Sequence, residues 1–351
     1  MNTIRVINKR EIETHLTMLD GIKAVEEAYR LNSEKAITLF DTVFYDFEPG
    51  KADMDIKSGT IDKAGIFGFK LMSWFGDNAY KGLETLMGNI MLYDRHTGAP
   101  KALLDGTSIT GMRTGAAGGI GSKYLARQNS RKLLLVGSGN QALYQLAAHL
   151  MLMDHIDEVM VYDPMSFEAA KKFCRSIKTR LLTQFLDQFK GDDGAYHQLV
   201  QKYNIRFNPV EDLETSVGKA DMIVTVTPSK EPMIFKSWVK PGTHLTCMGA
   251  DMPGKQEIDG DIFTVAKVFT DDIEKTSKTG EMEIPIKKGL FKKEWIVCEI
   301  GNVIAGKHKG RTSEEEITLF DASGLAAQDL LTAKILVEKA NRLNFGVEIE
   351  L

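Results

Sequence analysis

The sequence predicts an α/β protein with a doubly wound parallel sheet, and three observations carry that reading. Leu133, Leu134, Leu135 and Val136 form an unbroken apolar run that leads into Gly137-Ser138-Gly139-Asn140-Gln141-Ala142. A strand buried on both faces reads this way, because neither face alternates toward water. Behind the glycines, Leu143, Leu146, Ala147 and Leu150 recur at helical spacing, and Glu158-Val159-Met160-Val161-Tyr162 gives a second strand ending on Asp163. Strands and helices then alternate, which implies parallel strands joined by right-handed crossovers.

The glycines sit where that fold binds a dinucleotide. Gly137 permits the sharp strand-to-helix turn, Gly139 lets the backbone approach a pyrophosphate, and Ala142 lets the helix pack close to the strand. The helix N-terminus offers N–H groups and a partial positive charge to phosphates. Asp163, a little more than about 20 residues past the first glycine, is placed to hold the adenosine ribose. A carboxylate there favours NAD and repels a 2′-phosphate. Lys171, Lys172 and Arg175 nevertheless stand close enough in sequence to leave NADP open.

Composition sets outer bounds. The chain has 351 residues, enough for two domains, and a net charge of −4, which gives no reason to expect nucleic acid or an anionic membrane as a partner. No stretch approaches the ~18 consecutive apolar residues of a membrane span. The opening stretch around Ile4-Arg5-Val6-Ile7 lacks the apolar core of a signal peptide, so a cytoplasmic protein is expected. Cys174, Cys247 and Cys298 suit a reducing compartment and read as buried free thiols, with neither a disulfide framework nor metal-ligand spacing. No metal is expected.

In chain order, Ile4-Arg5-Val6-Ile7 reads as a short strand. Asp20 is the expected N-cap of an amphipathic helix carrying Ile22, Val25, Ala28 and Tyr29. Residues 42–47, 54–58, 66–74 and 89–94 are strand-like and separated by turns such as Glu48-Pro49-Gly50-Lys51, an antiparallel or mixed sheet distinct from the nucleotide fold. Residues 105–121 are so rich in Gly and Ala that they form either a tightly packed helix or a segment against a ligand. Residues 166–186 are helical, 188–194 an exposed loop and 196–203 helical again, an insertion before the strand at 205–210. A helix at 211–219 and strands at 222–227, 244–248 and 265–270 follow. Ligands of such sheets lie beyond the carboxyl ends of the strands, which lines up Thr227-Pro228, Gly249-Ala250-Asp251 and Asp271-Asp272 along one crevice. Glu314-Glu315-Glu316 reads as a solvated helix start, and a long helix runs to about residue 343.

Two cations stand out. Lys70 lies inside an apolar strand, and Arg113 lies among residues too small to cover it. Together they point to an anionic substrate group, and a carboxylate matches an arginine fork. The structural alternative is an ion pair with Asp53, Asp55, Asp105 or Glu84. Asp251 is the best acid for a proton transfer or for holding an amine, a turn-capping aspartate being its alternative. The histidines, His96, His149, His155 and His244 among them, read as turn, surface or core residues.

These residues together resemble the ornithine cyclodeaminase/mu-crystallin family. The resemblance covers nearly the whole chain and rests on Phe69-Lys70, Thr110-Gly111-Met112-Arg113-Thr114-Gly115-Ala116-Ala117, Val136 to Ala142, Gly249-Ala250-Asp251-Met252-Pro253-Gly254-Lys255-Gln256-Glu257 and Phe320-Asp321-Ala322-Ser323-Gly324. It implies a homodimer whose mixed α+β substrate-binding and dimerisation domain is built from both chain ends (1–122 and 318–351). That domain would enclose an NAD(P)-binding Rossmann domain over 123–317. It further implies that Lys70 and Arg113 grip a substrate carboxylate, that Asp251 handles the amine or its proton, and that Asp55 faces the substrate amine. Thr85, Arg113, Thr114, Gly137, Ser138, Gly139, Asn140, Gln141, Asp163, Thr227, Met248, Gly249 and Ser323 would line the cofactor. The family's usual arginine before its first substrate-domain strand is missing from Thr38-Leu39-Phe40-Asp41-Thr42, which leaves room for a different side chain or for Lys57 as a substitute.

The expected activity is hydride transfer between NAD(H) and the α-carbon of a small amino acid or its imine, as a dehydrogenase or ketimine reductase. The alternatives are an ornithine cyclodeaminase-type ammonia-lyase with recycled NAD, and a non-catalytic NAD(P)-dependent ligand carrier of the mu-crystallin kind.

Overall fold

Alternating and unbroken apolar runs sort the strands of this chain into two sheets, each in its own unit. The structure, a computed structural model, describes residues 3–186 and 193–351. One unit comprises residues 1–113 and 325–351, the other residues 114–324. The residues 114–122 and 318–324, assigned from sequence to the substrate domain, therefore lie with the nucleotide sheet.

The first unit opens with strand β1 (Thr3–Ile7) and the helices Lys9–His15 and Met18–Ser33. The second helix begins one turn earlier than its acid implies. Thr17 is the N-cap, its hydroxyl accepting from Asp20 N (3.1 Å) while the Asp20 carboxylate accepts from Thr17 N (2.8 Å). Asp20 thus completes a reciprocal capping box and is not the cap itself. Strands β2 (Ile37–Leu39), β3 (Val43–Glu48), β4 (Ala52–Ile61), β5 (Ile66–Phe75), β6 (Leu86–Asp94) and β7 (Pro100–Asp105) follow. From β2 through β7 the pairings are antiparallel, but β1 joins β7 in parallel, so the sheet is mixed. Along β5 the residues Ile66, Gly68, Lys70 and Met72 are buried in alternation, and period two puts the lysine on the core face.

The second unit starts within the helix Gly106–Leu125, so the glycine- and alanine-rich stretch is the packed helix of the two expected forms. Its glycines are sites of close approach: a Cβ on Gly115 would lie 2.4 Å from the Tyr144 carbonyl oxygen. Strands β8 (Lys132–Val136), β9 (Glu158–Tyr162), β10 (Arg206–Pro209), β11 (Met222–Thr225), β12 (His244–Cys247), β13 (Ala266–Thr270), β14 (Cys298–Glu299) and β15 (Ile317–Asp321) form a sheet in the order β10-β9-β8-β11-β12-β15-β13-β14. Every pairing among its described residues is parallel. The insertion between β9 and β10 contains the helix Phe167–Leu181, a wider π turn over Leu182–Leu186 and the helix Asp193–Tyr203. The loop expected at 188–194 lies outside the described residues up to 192, and its last two residues begin that helix. Glu314-Glu315-Glu316 does not start a helix. The next residues enter β15, and Glu316 accepts from Lys267 Nζ (2.6 Å) and Thr312 N (2.8 Å). Cys247 is buried, whereas Cys174 and Cys298 are only half-buried; burial still pushes both of these thiols up to about 11.

The chain then returns to the first unit through the helix Ala326–Leu343 and β16 (Val347–Glu350), which pairs antiparallel with β1. That helix packs against Met18–Ser33 and across β4, β5 and β6. No helix among the described residues is long and apolar enough to cross a membrane.

Gly115→Ala should destabilise the protein by about 1–3 kcal/mol in urea unfolding, because the obstructing atoms are backbone and cannot rotate away. Wild-type stability would show that the two helices separate easily.

Candidate active site

In the first unit, three charged side chains from distant parts of the sequence share one buried point. Lys70 is 2% exposed, Arg113 is 7% exposed and Asp329 is fully buried. Asp329 Oδ1 accepts from Lys70 Nζ at 3.0 Å and from Arg113 Nε at 3.1 Å. Gln328 Oε1 accepts from Arg113 Nη1 at 3.4 Å and from Leu325 N at 3.1 Å, which ties the guanidinium to the start of the helix Ala326–Leu343. None of the acids weighed as partners from sequence is the one used. Asp105 accepts instead from Thr107 N (3.1 Å) and Ser108 N (3.3 Å) at its own helix start, and Glu84 pairs with Lys9.

Burial, reinforced by the adjacent Arg113 charge, lowers Lys70 to about 8. Burial works to raise the Asp329 carboxyl, yet Arg113 and Lys70 together hold it below its ordinary value. Two more of the expected residues share this face. Lys57 is the cross-strand partner of Lys70, and Asp55 stands two residues before it on β4, 4.0 Å from the Lys57 ammonium. Within the buried trio, two cations face one carboxylate, which leaves a single positive charge there, and the Asp329 Oδ2 atom is buried with no hydrogen-bond partner. Thr85 stands apart from this cluster in the contacts it makes: its carbonyl accepts from Phe75 N (2.8 Å) just before β6.

In the second unit, the parallel strands all end on one edge, and the expected nucleotide residues other than Thr85 and Arg113, which belong to the first unit, lie in this unit. Gly137 follows β8 with φ of 104°, and a Cβ on it would meet Thr227 Cγ2 and Val226 O at 3.0 Å. Gly139 precedes the helix Asn140–Leu152, which has no side-chain cap, and nothing lies within 4 Å of the position a Gly139 Cβ would take. A closed turn, an open glycine and an uncapped helix start with Asn140 and Gln141 fit a pyrophosphate. Asp163 accepts from Ser138 N (3.1 Å) and the Ser138 hydroxyl, and its other oxygen accepts from Met165 N (3.0 Å). It therefore braces the glycine turn. Thr227 and Met248 are buried on the same edge, Gly249 follows Met248, and Ser323 N donates to Asp271 Oδ1 (3.3 Å). Thr114 offers its carbonyl to Gln145 Nε2 at 2.9 Å.

Asp251 lies on the loop after β12. Its side chain is 48% exposed and its Oδ1 accepts from Lys255 Nζ at 2.6 Å. The structure thus joins Lys70, Arg113, Lys57 and Asp55 in one unit, and Asp251 with the glycine turn, Thr227 and Gly249 at one sheet edge of the other. His149 and His244 are core residues, as expected: Ser122 Oγ lies 2.9 Å from His149 Nε2, Thr318 Oγ1 lies 2.9 Å from His244 Nδ1, and burial holds His149 at about 4.

Sequence reading missed Asp329, Gln328 and Glu257. Asp329 had a signal: Leu325, Ala333, Leu336 and Ala340 share its helical stripe and are all buried, so an acid there needs a partner.

The model of the ornithine cyclodeaminase/mu-crystallin family matches residues 3–184 and 190–344. The alanine dehydrogenase of Archaeoglobus fulgidus is 37% identical over 345 residues, covering 98% of each chain. Among solved structures, an archaeal alanine dehydrogenase dimer with bound NAD superposes with a TM-score of 0.87 at 37% identity, over 99% of both chains. The Thermococcus litoralis Δ1-pyrroline-2-carboxylate reductase, in complex with NADH and L-proline, also gives 0.87, at 29% identity over 99% of this chain and 100% of its own. With matches along its whole length and a fold shared with these enzymes, the chain belongs to the ornithine cyclodeaminase/mu-crystallin family.

Proposed function

We propose that this protein is an NAD-dependent oxidoreductase of the carbon–nitrogen bond in a small amino acid or its imine, working as an amino-acid dehydrogenase or ketimine reductase. The observation that carries the reading is the buried Lys70–Asp329–Arg113 cluster, whose surplus positive charge calls for a carboxylate. Relatives named as alanine dehydrogenase and as pyrroline-2-carboxylate reductase act on substrates with that group next to the reacting carbon.

Arg113 and Lys70 neutralise the carboxylate, with Lys57 in the part of the missing arginine. Asp329 holds both main cations in place, so little reorganisation accompanies binding. Asp55 faces the substrate amine. Asp251 orients the nitrogen and exchanges its proton. Thr85, Thr114, Ser138, Asn140, Gln141, Thr227, Met248 and Ser323 line the dinucleotide, the two glycines admit its pyrophosphate, and Asp163 takes the ribose. Bound NAD supplies the hydride chemistry. The protein works as a homodimer in the cytoplasm, NAD being preferred to NADP because of Asp163.

L-alanine with NAD, and Δ1-pyrroline-2-carboxylate with NADH, should change the absorbance at 340 nm in step with turnover. Ammonia release from a diamino acid with flat absorbance would make the protein a cyclodeaminase instead. Asp251→Asn should cut kcat by about 10²-fold while NAD still binds, and wild-type rates would remove Asp251 from the mechanism.

Asp163→Ala should weaken NAD more than the substrate, measured by NADH fluorescence titration; unchanged NAD affinity would place the ribose elsewhere. Lys70 carries its charge below its pKa of about 8, so the inhibition constant of a simple carboxylate should rise as the pH passes upward through about 8. A flat profile over that range would mean that Lys70 stays charged or does not touch the carboxylate.

A further inference from the structure

The loop that bears Asp251 is fastened by its own far end. It leaves β12 at Met248 and ends at Glu257, whose fully buried carboxylate reaches back to the start. Glu257 Oε2 accepts from Gly249 N (2.9 Å) and Thr225 Oγ1 (2.7 Å), and Oε1 accepts from Thr227 N (2.6 Å) and Thr227 Oγ1 (2.8 Å). These bonds work against burial, which still raises the Glu257 carboxyl above its ordinary value, and they tie both roots of the loop to the end of β11. The fit leaves no slack, because a Cβ on Gly249 would lie 2.2 Å from Thr227 O and 2.6 Å from the Glu257 carboxyl carbon.

Two further acids hold the rest of the loop. Glu281 Oε1 accepts from Glu257 N and Ile258 N, both at 2.7 Å. Glu283 Oε2 accepts from Gly254 N at 2.9 Å, three residues past Asp251. Their own segment is set by Asp321 at the end of β15, which accepts from Glu281 N (3.1 Å) and Met282 N (2.8 Å). Burial, with Glu257 nearby, pushes the Glu281 carboxyl well above its ordinary range. Acids that bind main-chain N–H groups in this way do not need to touch substrate to matter. They fix where a neighbouring side chain stands.

We propose that Glu257 and Glu283 are positioning residues for Asp251, fixing the loop so that its carboxylate meets the substrate nitrogen. The proposal rests on the reading of Asp251 given above. Each Glu257 oxygen accepts one main-chain N–H, so the amide nitrogen that Glu257→Gln introduces would oppose an N–H at Gly249 or Thr227. A threonine hydroxyl can rotate to adapt, but the backbone cannot.

Kinetics in the L-alanine and Δ1-pyrroline-2-carboxylate assays test this. Glu257→Gln and Glu283→Ala should each lower kcat about tenfold, and Glu283→Ala should keep KM and the NADH dissociation constant within about twofold of wild type. Glu283→Gln keeps an oxygen for Gly254 N–H and should restore the rate. In an Asp251→Asn background neither change should lower kcat further, since both act through the lost carboxylate. Wild-type kcat in folded Glu257→Gln and Glu283→Ala, or a full additional loss on top of Asp251→Asn, overturns the proposal. Should Glu257→Gln fail to fold, Glu283→Ala and its rescue decide alone. Wild-type turnover in Asp251→Asn itself is a separate result: it overturns the role of Asp251 and, with it, the need to position that residue.

Discussion

One carboxylate oxygen, Asp329 Oδ1, holds two buried cations, and much of the first unit follows from that requirement. A lysine in the middle of an apolar strand and an arginine in a small-residue helix are each costly to desolvate alone. Removing the acid would leave two like charges facing each other, a loss of about 3–5 kcal/mol by the usual cost of breaking a buried pair. The partners come from residues 70, 113 and 329, so the fold must bring the end of the chain back onto β4, β5 and β6. That return makes the unit discontinuous in sequence. The residues of the nucleotide sheet fill the interval between its two parts.

The second unit uses carboxylates differently. Asp163, Asp271 and Asp321 stand at or just beyond strand ends and accept main-chain N–H groups there, and Glu257 reaches back from the far end of its loop to do the same. Each acid fixes a loop that follows a parallel strand, which is where this architecture keeps its ligands. The helix after Gly139 is left without a side-chain cap, so its N-terminal charge stays available for phosphate. Acids thus shape one unit's loops, while in the other a single acid arranges cations.

What was legible in the sequence was what local pattern encodes. The apolar run Leu133 to Val136 and the glycines after it needed only neighbours to be read, and most strands of both sheets followed from local pattern, whereas β2, β7, β14, β15 and β16 were not read as strands. Lys70 was legible because it lay inside an apolar strand, and the structure's alternation puts it on the core face. Its partner was not, because Asp329 lies 259 residues away and pairing across that distance leaves no mark on spacing. Nearer acids were better candidates by sequence, but Asp105 and Glu84 are taken up by a helix start and by Lys9. The same limit explains Asp20 and Glu316. An acid in the first turn and an acidic run both favour helix starts in general. Thr17 competes better for the cap, and Ile317 to Phe320 are drawn into the sheet beside β12 and β13.

In the function proposed for it, the cluster also couples binding of the substrate carboxylate to protons. Burial and Arg113 together bring Lys70 down to about 8, so near that pH a share of the free protein carries a neutral amine. An incoming carboxylate favours the charged form and draws the pKa back up. Binding near pH 8 therefore takes up a fraction of a proton, whereas well below it the lysine is already charged and none is needed. In that reading the Arg113 fork adds a second contact to the carboxylate. Asp329 serves both halves of this arrangement. It fixes the arginine in place and partly counters the burial and the Arg113 charge that lower the lysine, so one buried acid contributes to both the geometry and the proton affinity of the cluster.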